Sequence, residues 1–225
     1  MRVLYHWPLD PFSRMARLAL AEKRLTFKLS RVELDDDPAV LRALNPAGTT
    51  PVLCDGSAGA MLTIAEARPI LEYLDEAREA APLLPEGLAA RAEVRRLVDW
   101  FCVKFHAEVN TYLLYEKLQK PLCRAGPPDN AALREGRAHL RWHLAHVNHL
   151  AMTRDWLAGT SLSHADIAAA AHLSCLDYLG EVPWDEFELA RCWYARFKSR
   201  PSFRSLLEDR LPGMAPAPRY ADLDF

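Results

Sequence analysis

Asn45-Pro46-Ala47-Gly48-Thr49-Thr50-Pro51-Val52-Leu53-Cys54 is the stretch on which the fold turns. Proline lacks a backbone N–H and glycine tolerates left-handed backbone, so Asn45 to Gly48 stops any helix that precedes it. Pro51 then opens a short apolar run, Pro51 to Cys54, and the first residue of a strand is one of the few sheet positions open to proline. A cis bond there exposes neighbouring N–H and C=O groups to a ligand, and the sequence leaves the isomer open. Downstream, the turn Asp55-Gly56-Ser57 leads to a second short strand, Ala60 to Thr63, and a helix, Glu66 to Glu76. Upstream, Asp35-Asp36-Asp37 opens a short helix, Pro38 to Leu44, through N-terminal carboxylates and an early proline. Before it come a strand over Phe27 to Val32 and a helix over Ser13 to Glu22, striped by Met15, Leu18 and Ala19. A first strand at Val3-Leu4-Tyr5 is stopped by Pro8 and Pro11. The order βαβ then ββα over residues 1–78 predicts a thioredoxin-like α/β domain.

The remainder reads as helix. Residues 79–90, with Pro82 and Pro85, form a linker, and residues 91–210 an all-helical domain, so the fold class is α/β plus all-α. Arg91 to Leu118 carries Val94, Leu97, Val98, Phe101, Phe105 and Val109 at three-and-four spacing. Ala131 to Leu150 is a second long amphipathic helix. His164 to Leu179 is small-residue and nearly all apolar, which suits a helix buried on every side. Glu186 to Lys198 and Pro201 to Arg210 complete the domain. Ser163 and Asp166 stand at capping-box spacing between Leu162 and Ile167, a hydrophobic staple, and carry a structural role in nucleating the buried helix. Residues 211–225 hold three prolines and end Arg219-Tyr220-Ala221-Asp222-Leu223-Asp224-Phe225. Prolines favour an extended tail. It delivers aromatic, apolar and acidic groups that either cover their own domain or meet a partner.

A net charge of −2 on 225 residues and the lack of a basic stripe give no footprint for nucleic acid. No apolar run reaches the ~18 residues that would insert in a membrane. The start, Met1-Arg2-Val3-Leu4-Tyr5-His6-Trp7-Pro8, is too mixed for a signal peptide. Five scattered cysteines with no C-x-x-C pair point to a reducing cytosol, and Cys102 and Cys192 fall in apolar helical patterns as small core residues. His139, His143, His146 and His149 share a helical stripe, but no carboxylate or cysteine beside them in sequence completes a metal shell, so no metal is expected.

Taken in order, Asp10-Pro11-Phe12-Ser13-Arg14, Asn45-Pro46-Ala47-Gly48, Thr50-Pro51-Val52-Leu53, Glu66 to Leu74, Trp156-Leu157-Ala158-Gly159 and the Ser163–Asp166 box resemble the glutathione S-transferase superfamily from end to end. The start Met1 to His6, the segment Leu113-Leu114-Tyr115-Glu116-Lys117, the stretch Ala169 to Trp184 and the ending from Lys198 to Phe225 further resemble its FtsZ-localised, alphaproteobacterial branch. That resemblance implies a cytoplasmic, homodimeric, non-catalytic adaptor that binds FtsZ and the division machinery at the division site. The stretch Leu34 to Val40 lacks the aromatic-rich sequence of many such relatives.

The resemblance also assigns positions. In the superfamily's Ser/Cys-Pro-Phe-Ser pattern the residue before proline activates the glutathione thiol; here it is Asp10. Two like charges ~4 Å apart at an effective dielectric of ~20 repel by about 4 kcal/mol. That is roughly three pKa units in the wrong direction. The family's Glu/Gln-Ser pair, which holds the γ-glutamyl carboxylate, is Glu66-Ala67. A lost hydrogen bond to a charged group costs on the order of 1.5–3 kcal/mol. Thr50, Pro51, Glu66 and Ala67 thus read as the remnant of a glutathione site with weak affinity, and no cofactor is required. Tyr5, otherwise a strand residue, and Ser13, otherwise a helix N-cap, are the groups left to serve the thiol in an atypical glutathione transferase. Tyr115 and Glu116, at the end of the first long helix, and Tyr220, Asp222, Leu223, Asp224 and Phe225 in the tail are the expected partner surface.

Overall fold

The computed structural model describes residues 1–33, 38–56, 59–77 and 81–223. The predicted turn Asp35 to Asp37, Ser57, and the terminal Asp224 and Phe225 lie outside the described residues. The chain divides into two units, Met1–Leu83 and Leu84–Phe225.

In the first unit, β1 (Arg2–His6), α1 (Pro11–Glu22), β2 (Lys28–Arg31), α2 (Pro38–Leu44), β3 (Val52–Asp55), β4 (Leu62–Ala65) and α3 (Ala67–Ala77) follow in the predicted order. The sheet runs β2-β1-β3-β4. β1 lies parallel to β2, as an α-helical crossover requires, and antiparallel to β3, which is antiparallel to β4. Leu4 pairs with Leu29 on one side and Leu53 on the other. All four residues of β3 are buried, and α1 packs against α3 over a core that includes Leu4, Met15, Leu18, Leu53, Ile70 and Leu74. The Thr50–Pro51 bond is cis.

Several boundaries differ from the sequence reading. α1 begins at Pro11 and not at Ser13, because Asp10 is the N-cap: its carboxylate accepts from the N–H groups of Phe12 and Ser13. Proline at the first helical position gives up a donor that no helix uses. β4 lies two residues later than expected. The linker ends early, because α4 (Leu88–Asp99) starts within it.

In the second unit, α4 continues into a π-helical segment, Trp100–Asn110, then α5 (Thr111–Leu114), a second π segment, Tyr115–Gln119, and α6 (Lys120–Leu122). Three-and-four spacing identifies the helix but not the widening of its turns. α7 (Asn130–Ala151) is capped by Asp129. All fifteen residues of α8 (His164–Tyr178) are buried, as its composition predicts. A 3₁₀ turn, Trp184–Glu186, precedes α9 (Glu188–Lys198). The expected helix over Pro201 to Arg210 is shorter: a 3₁₀ turn, Pro201–Phe203, and α10 (Arg204–Leu207). Cys102 is buried, whereas Cys192 is exposed on the outer face of α9.

Candidate functional site

Of the residues assigned to thiol chemistry, Asp10 and Ser13 meet at the N-terminus of α1. Asp10 accepts hydrogen bonds from Phe12 N–H (3.1 Å), Ser13 N–H (2.9 Å), Ser13 Oγ (2.6 Å) and Thr50 Oγ1 (3.0 Å). Ser13 Oγ itself accepts from Trp7 N–H at 3.2 Å, so its proton points to Asp10. Each of these contacts of Asp10 is a donor, which is the environment of an ionised carboxylate. Burial leaves its pKa raised, with the bonds from Ser13, Thr50 and Phe12 offsetting only part of the rise. The helix dipole that would favour a bound thiolate already faces a carboxylate of the chain itself. Ser13 is therefore not the N-cap but a fully buried third helical residue, with both its donor and its acceptor engaged. Tyr5 lies on the half-buried face of β1, opposite the buried Leu4 and His6.

Glu66 has φ +71°, the left-handed region, at the entrance to α3. Such a conformation costs a non-glycine residue on the order of 1–3 kcal/mol and persists where its surroundings hold it. Here Glu66 N–H donates to the Pro51 carbonyl at 3.0 Å. Its carboxylate accepts from Thr49 Oγ1 at 2.6 Å and Asn45 Nδ2 at 3.1 Å. Ala67 follows, buried, as the first residue of α3. The structure thus brings Asp10, Ser13 and Thr50 into direct contact, and ties Pro51 to Glu66.

The expected partner residues separate into exposed and buried groups. Tyr115 is exposed at the start of the second π segment. Glu116 is not available to a partner: it is buried and accepts from Lys120 Nζ (2.9 Å) and Asp129 N–H (2.6 Å). Those two donors hold its carboxyl below the usual carboxylate range, Lys120 foremost. The bond from Asp129 clips the loop before α7 to the preceding helix. Tyr220 is likewise withdrawn. It is fully buried, donates its hydroxyl to the Leu206 carbonyl at 2.9 Å, and meets Tyr178 edge to face with centroids 5.1 Å apart. Tyr178 also donates to the Met214 carbonyl at 2.7 Å, and its own carbonyl accepts from Ala217 N–H at 2.8 Å. The tail packs on its own unit as far as Tyr220, and Asp222 and Leu223 emerge exposed beyond it. It is not extended throughout, since Pro218–Ala221 forms a 3₁₀ turn.

Ser163 and Asp166 occupy the start of α8. Asp166 Oδ2 accepts from Ser163 N–H and Ser163 Oγ, both at 3.0 Å, and Oδ1 accepts from Leu157 N–H (2.8 Å) and Trp193 Nε1 (2.9 Å). Burial raises its pKa against these four donors. The aspartate in place of the usual glutamate therefore closes the box and also holds α9 and the Trp156–Gly159 turn.

Two groups escape a reading of the sequence alone. Asp177 and Lys198 form a buried ion pair at 3.1 Å, completed by Trp184 Nε1 and Tyr194 OH on Asp177. Burial drives Asp177 up and Lys198 down, each opposed by the other. The signal for it is an aspartate inside a run predicted to be buried on all sides, because such a charge requires a partner. His143 does have a carboxylate neighbour, though one distant in sequence: Nδ1 accepts from Trp100 Nε1 at 3.1 Å and Nε2 faces Glu108 Oε2 at 3.0 Å. Indole nitrogen only donates, so the proton of this imidazole sits on Nε2. Burial lowers its pKa to about 4, with Glu108 opposing. Among the described residues no group of three or more histidine, cysteine or carboxylate residues is arranged to hold a metal ion, and no helix is long and apolar enough to cross a membrane.

Comparison with known proteins gives this geometry its family. Residues 4–82 match the family model "Glutathione S-transferase, N-terminal domain" and residues 116–201 match "Glutathione S-transferase, C-terminal domain". FtsZ-localized protein A of Caulobacter vibrioides is 53% identical over 100% of this chain and 98% of its own length. The solved structure of FzlA from C. crescentus superposes with a TM-score of 0.97 at 53% identity, covering 100% of this chain and 99% of that one. The crystal structure of a glutathione S-transferase from Rhodospirillum rubrum F11 gives 0.96 at 46% identity over 100% of both chains. A sheet of this order, an all-helical second unit, a cis proline at the head of β3, and full-length likeness to these proteins make this chain a member of the glutathione S-transferase family.

Proposed function

We propose that the chain is a non-catalytic adaptor on the glutathione S-transferase fold that binds FtsZ and works as a homodimer at the division site. The observation that carries the proposal is the 53% identity to FtsZ-localized protein A across the full chain. The state of Asp10 supports it. A carboxylate saturated by Phe12, Ser13 and Thr50 has no proton to give a thiol and repels its anion. Tyr115 and the segment that starts at Asp222 and Leu223 and runs on to Asp224 and Phe225 are the proposed contact surface, with Glu116 and Tyr220 as the residues that support it from below. Glutathione binds weakly at Thr50, Pro51 and Glu66 and is not required. Co-sedimentation with GTP-assembled FtsZ filaments tests the reading. Recovery of the chain in the filament pellet is the expected result, and its absence at low salt sinks the proposal. Light scattering after size exclusion tests the dimer.

A second reading, a glutathione-dependent transferase, is favoured by the full-length likeness to the R. rubrum glutathione S-transferase. It requires turnover of a generic electrophile that falls on changing Tyr5→Phe or Ser13→Ala. Strong retention on immobilised glutathione with such turnover replaces the adaptor reading.

A further inference from the structure

β4 is an outer strand of the sheet, and its chemistry differs from that of β2 at the opposite edge. In an antiparallel ladder, successive residues send their N–H and C=O groups to opposite sides of the strand. Gly56 N–H donates to the Met1 carbonyl at 3.1 Å, and Glu66 N–H donates to the Pro51 carbonyl at 3.0 Å. With the register of the two ladders, these bonds fix the phase: Val52 and Cys54 turn their backbone groups to β1, and Leu53 and Asp55 turn theirs to β4. Their partners Ile64 and Leu62 therefore face inward. Thr63, Ala65 and, one step before the strand, Met61 direct their N–H and C=O away from the sheet. Among the described residues no hydrogen bond meets them on that outer side. Met61 is 67% and Leu62 45% exposed. From Gly59 to Ala65 the sequence has neither a charge nor a proline, two devices that discourage strand pairing at an edge. β2 carries Lys28 and Arg31.

We propose that two copies of the chain meet at this edge, β4 against β4 in antiparallel register about a two-fold axis at Thr63. The inference rests on the homodimer reading above and gives that dimer its contact. A two-fold axis sets the same patch against itself, so an edge strand with a charge at the axis repels its own copy. β4 has none. With Thr63 facing its own counterpart, Met61 of one copy faces Ala65 of the other, and the outward N–H and C=O groups of all three residues find partners. Leu62 of one copy then meets Ile64 of the other on one face of the joined sheet, which withdraws apolar surface from water. Glu66, the nearest acid downstream, falls opposite the uncharged Ala60, and its carboxylate is already held by Thr49 and Asn45. A second copy brings a strand of matching length and neutrality, whereas a foreign peptide finds no charged residue along β4 to select it.

Analytical ultracentrifugation of the full chain from about 0.1 to about 100 µM provides the test. The parent chain dimerises. Thr63→Lys and Thr63→Glu each set like charges opposite one another and weaken the dimer at least about fivefold. An equimolar mixture of the two brings opposite charges together and recovers to within about twofold of the parent. Thr63→Pro removes an outward N–H without touching the β3 ladder, and it too weakens the dimer. Ser30→Lys, on the opposite edge, changes it by less than about twofold. Circular dichroism confirms that each variant is folded. A dimer that no change at Thr63 weakens, or a Lys–Glu mixture no tighter than either variant alone, overturns the strand contact and leaves the homodimer reading standing. If the dimer is intact while Thr63→Pro loses co-sedimentation with FtsZ filaments, the edge belongs to a strand of that partner instead. A parent chain that stays monomeric at every concentration overturns both the contact and the homodimer reading.

Discussion

Lys198→Met removes one half of the buried pair that anchors the tail. The ammonium lies 3.1 Å from Asp177 Oδ2, and the two side chains are 0% and 7% exposed. It also donates to the Arg219 carbonyl at 3.5 Å and stands 5.5 Å above the Tyr220 ring. Methionine fills a similar volume, so the loss is electrostatic more than a matter of packing. Removing one partner of a buried pair costs about 3–5 kcal/mol, because the charge left behind is uncompensated. Trp184 and Tyr194 still donate to Asp177, which sets the expectation at the lower end, about 3 kcal/mol at neutral pH. The sign of the pH dependence follows from Asp177. Burial already raises its pKa and Lys198 opposes that rise, so the variant's folded state binds the proton more tightly still. A carboxyl whose folded pKa exceeds its unfolded value adds stability below the unfolded value and loses it as pH rises through the folded one. The deficit therefore widens as pH rises through the range in which the buried Asp177 ionises. Urea denaturation at several pH values measures it, and hydrogen exchange at Ala217, whose N–H bonds to Tyr178, reports whether the tail has come loose. A deficit under about 1 kcal/mol, or one that narrows with rising pH, refutes the electrostatic account. Unchanged exchange at Ala217 refutes the anchoring role.

Three other changes have defined outcomes. Gly136→Ala sets a Cβ 2.8 Å from Tyr112 Cβ and 3.0 Å from the Leu113 side chain, where α7 crosses α5. Because the nearest atom is fixed to the backbone, the helices must part, and a net loss of about 1–2 kcal/mol in urea denaturation is expected despite alanine's helix propensity. His143→Gln alters acid sensitivity. With its folded pKa held at about 4, His143 contributes stability above its unfolded pKa that is lost as pH falls, about 3 kcal/mol in all. The variant's stability should fall less steeply across that window. Asp10→Ser removes about 4 kcal/mol of repulsion toward a thiolate while keeping an N-cap acceptor. Retention on immobilised glutathione and thiolate absorbance of the bound peptide should both rise, and unchanged values would clear Asp10 of blocking the site.

Local chemistry determines a great deal of this protein. Breakers at Asn45 to Gly48, a proline heading β3, and apolar spacing at two and at three-to-four residues are enough to order every element of the first unit. The Ser163–Asp166 box and the all-apolar make-up of α8 are legible for the same reason, since neighbours one turn apart decide them. That Asp10 stands where the family's pattern has a thiol-activating residue is legible too, but its use as the cap of α1 is not. Both Asp10 and Ser13 are good caps, and sequence alone favours Ser13; the fold selects Asp10, with Pro11 behind it and Thr50 donating from across the domain.

What only the tertiary structure decides involves partners far apart in the chain. Glu116 looks like a surface charge until Asp129 donates to it, and Tyr220 looks like a free aromatic until Leu206 and Tyr178 enclose it. Asp177 meets Lys198 from 21 positions away, and His143 meets Glu108 from 35. Periodicity carries the phase of a helix but not the identity of what packs on it. Which charges are buried, and which part of the tail is left exposed, is settled by pairs that no local pattern records.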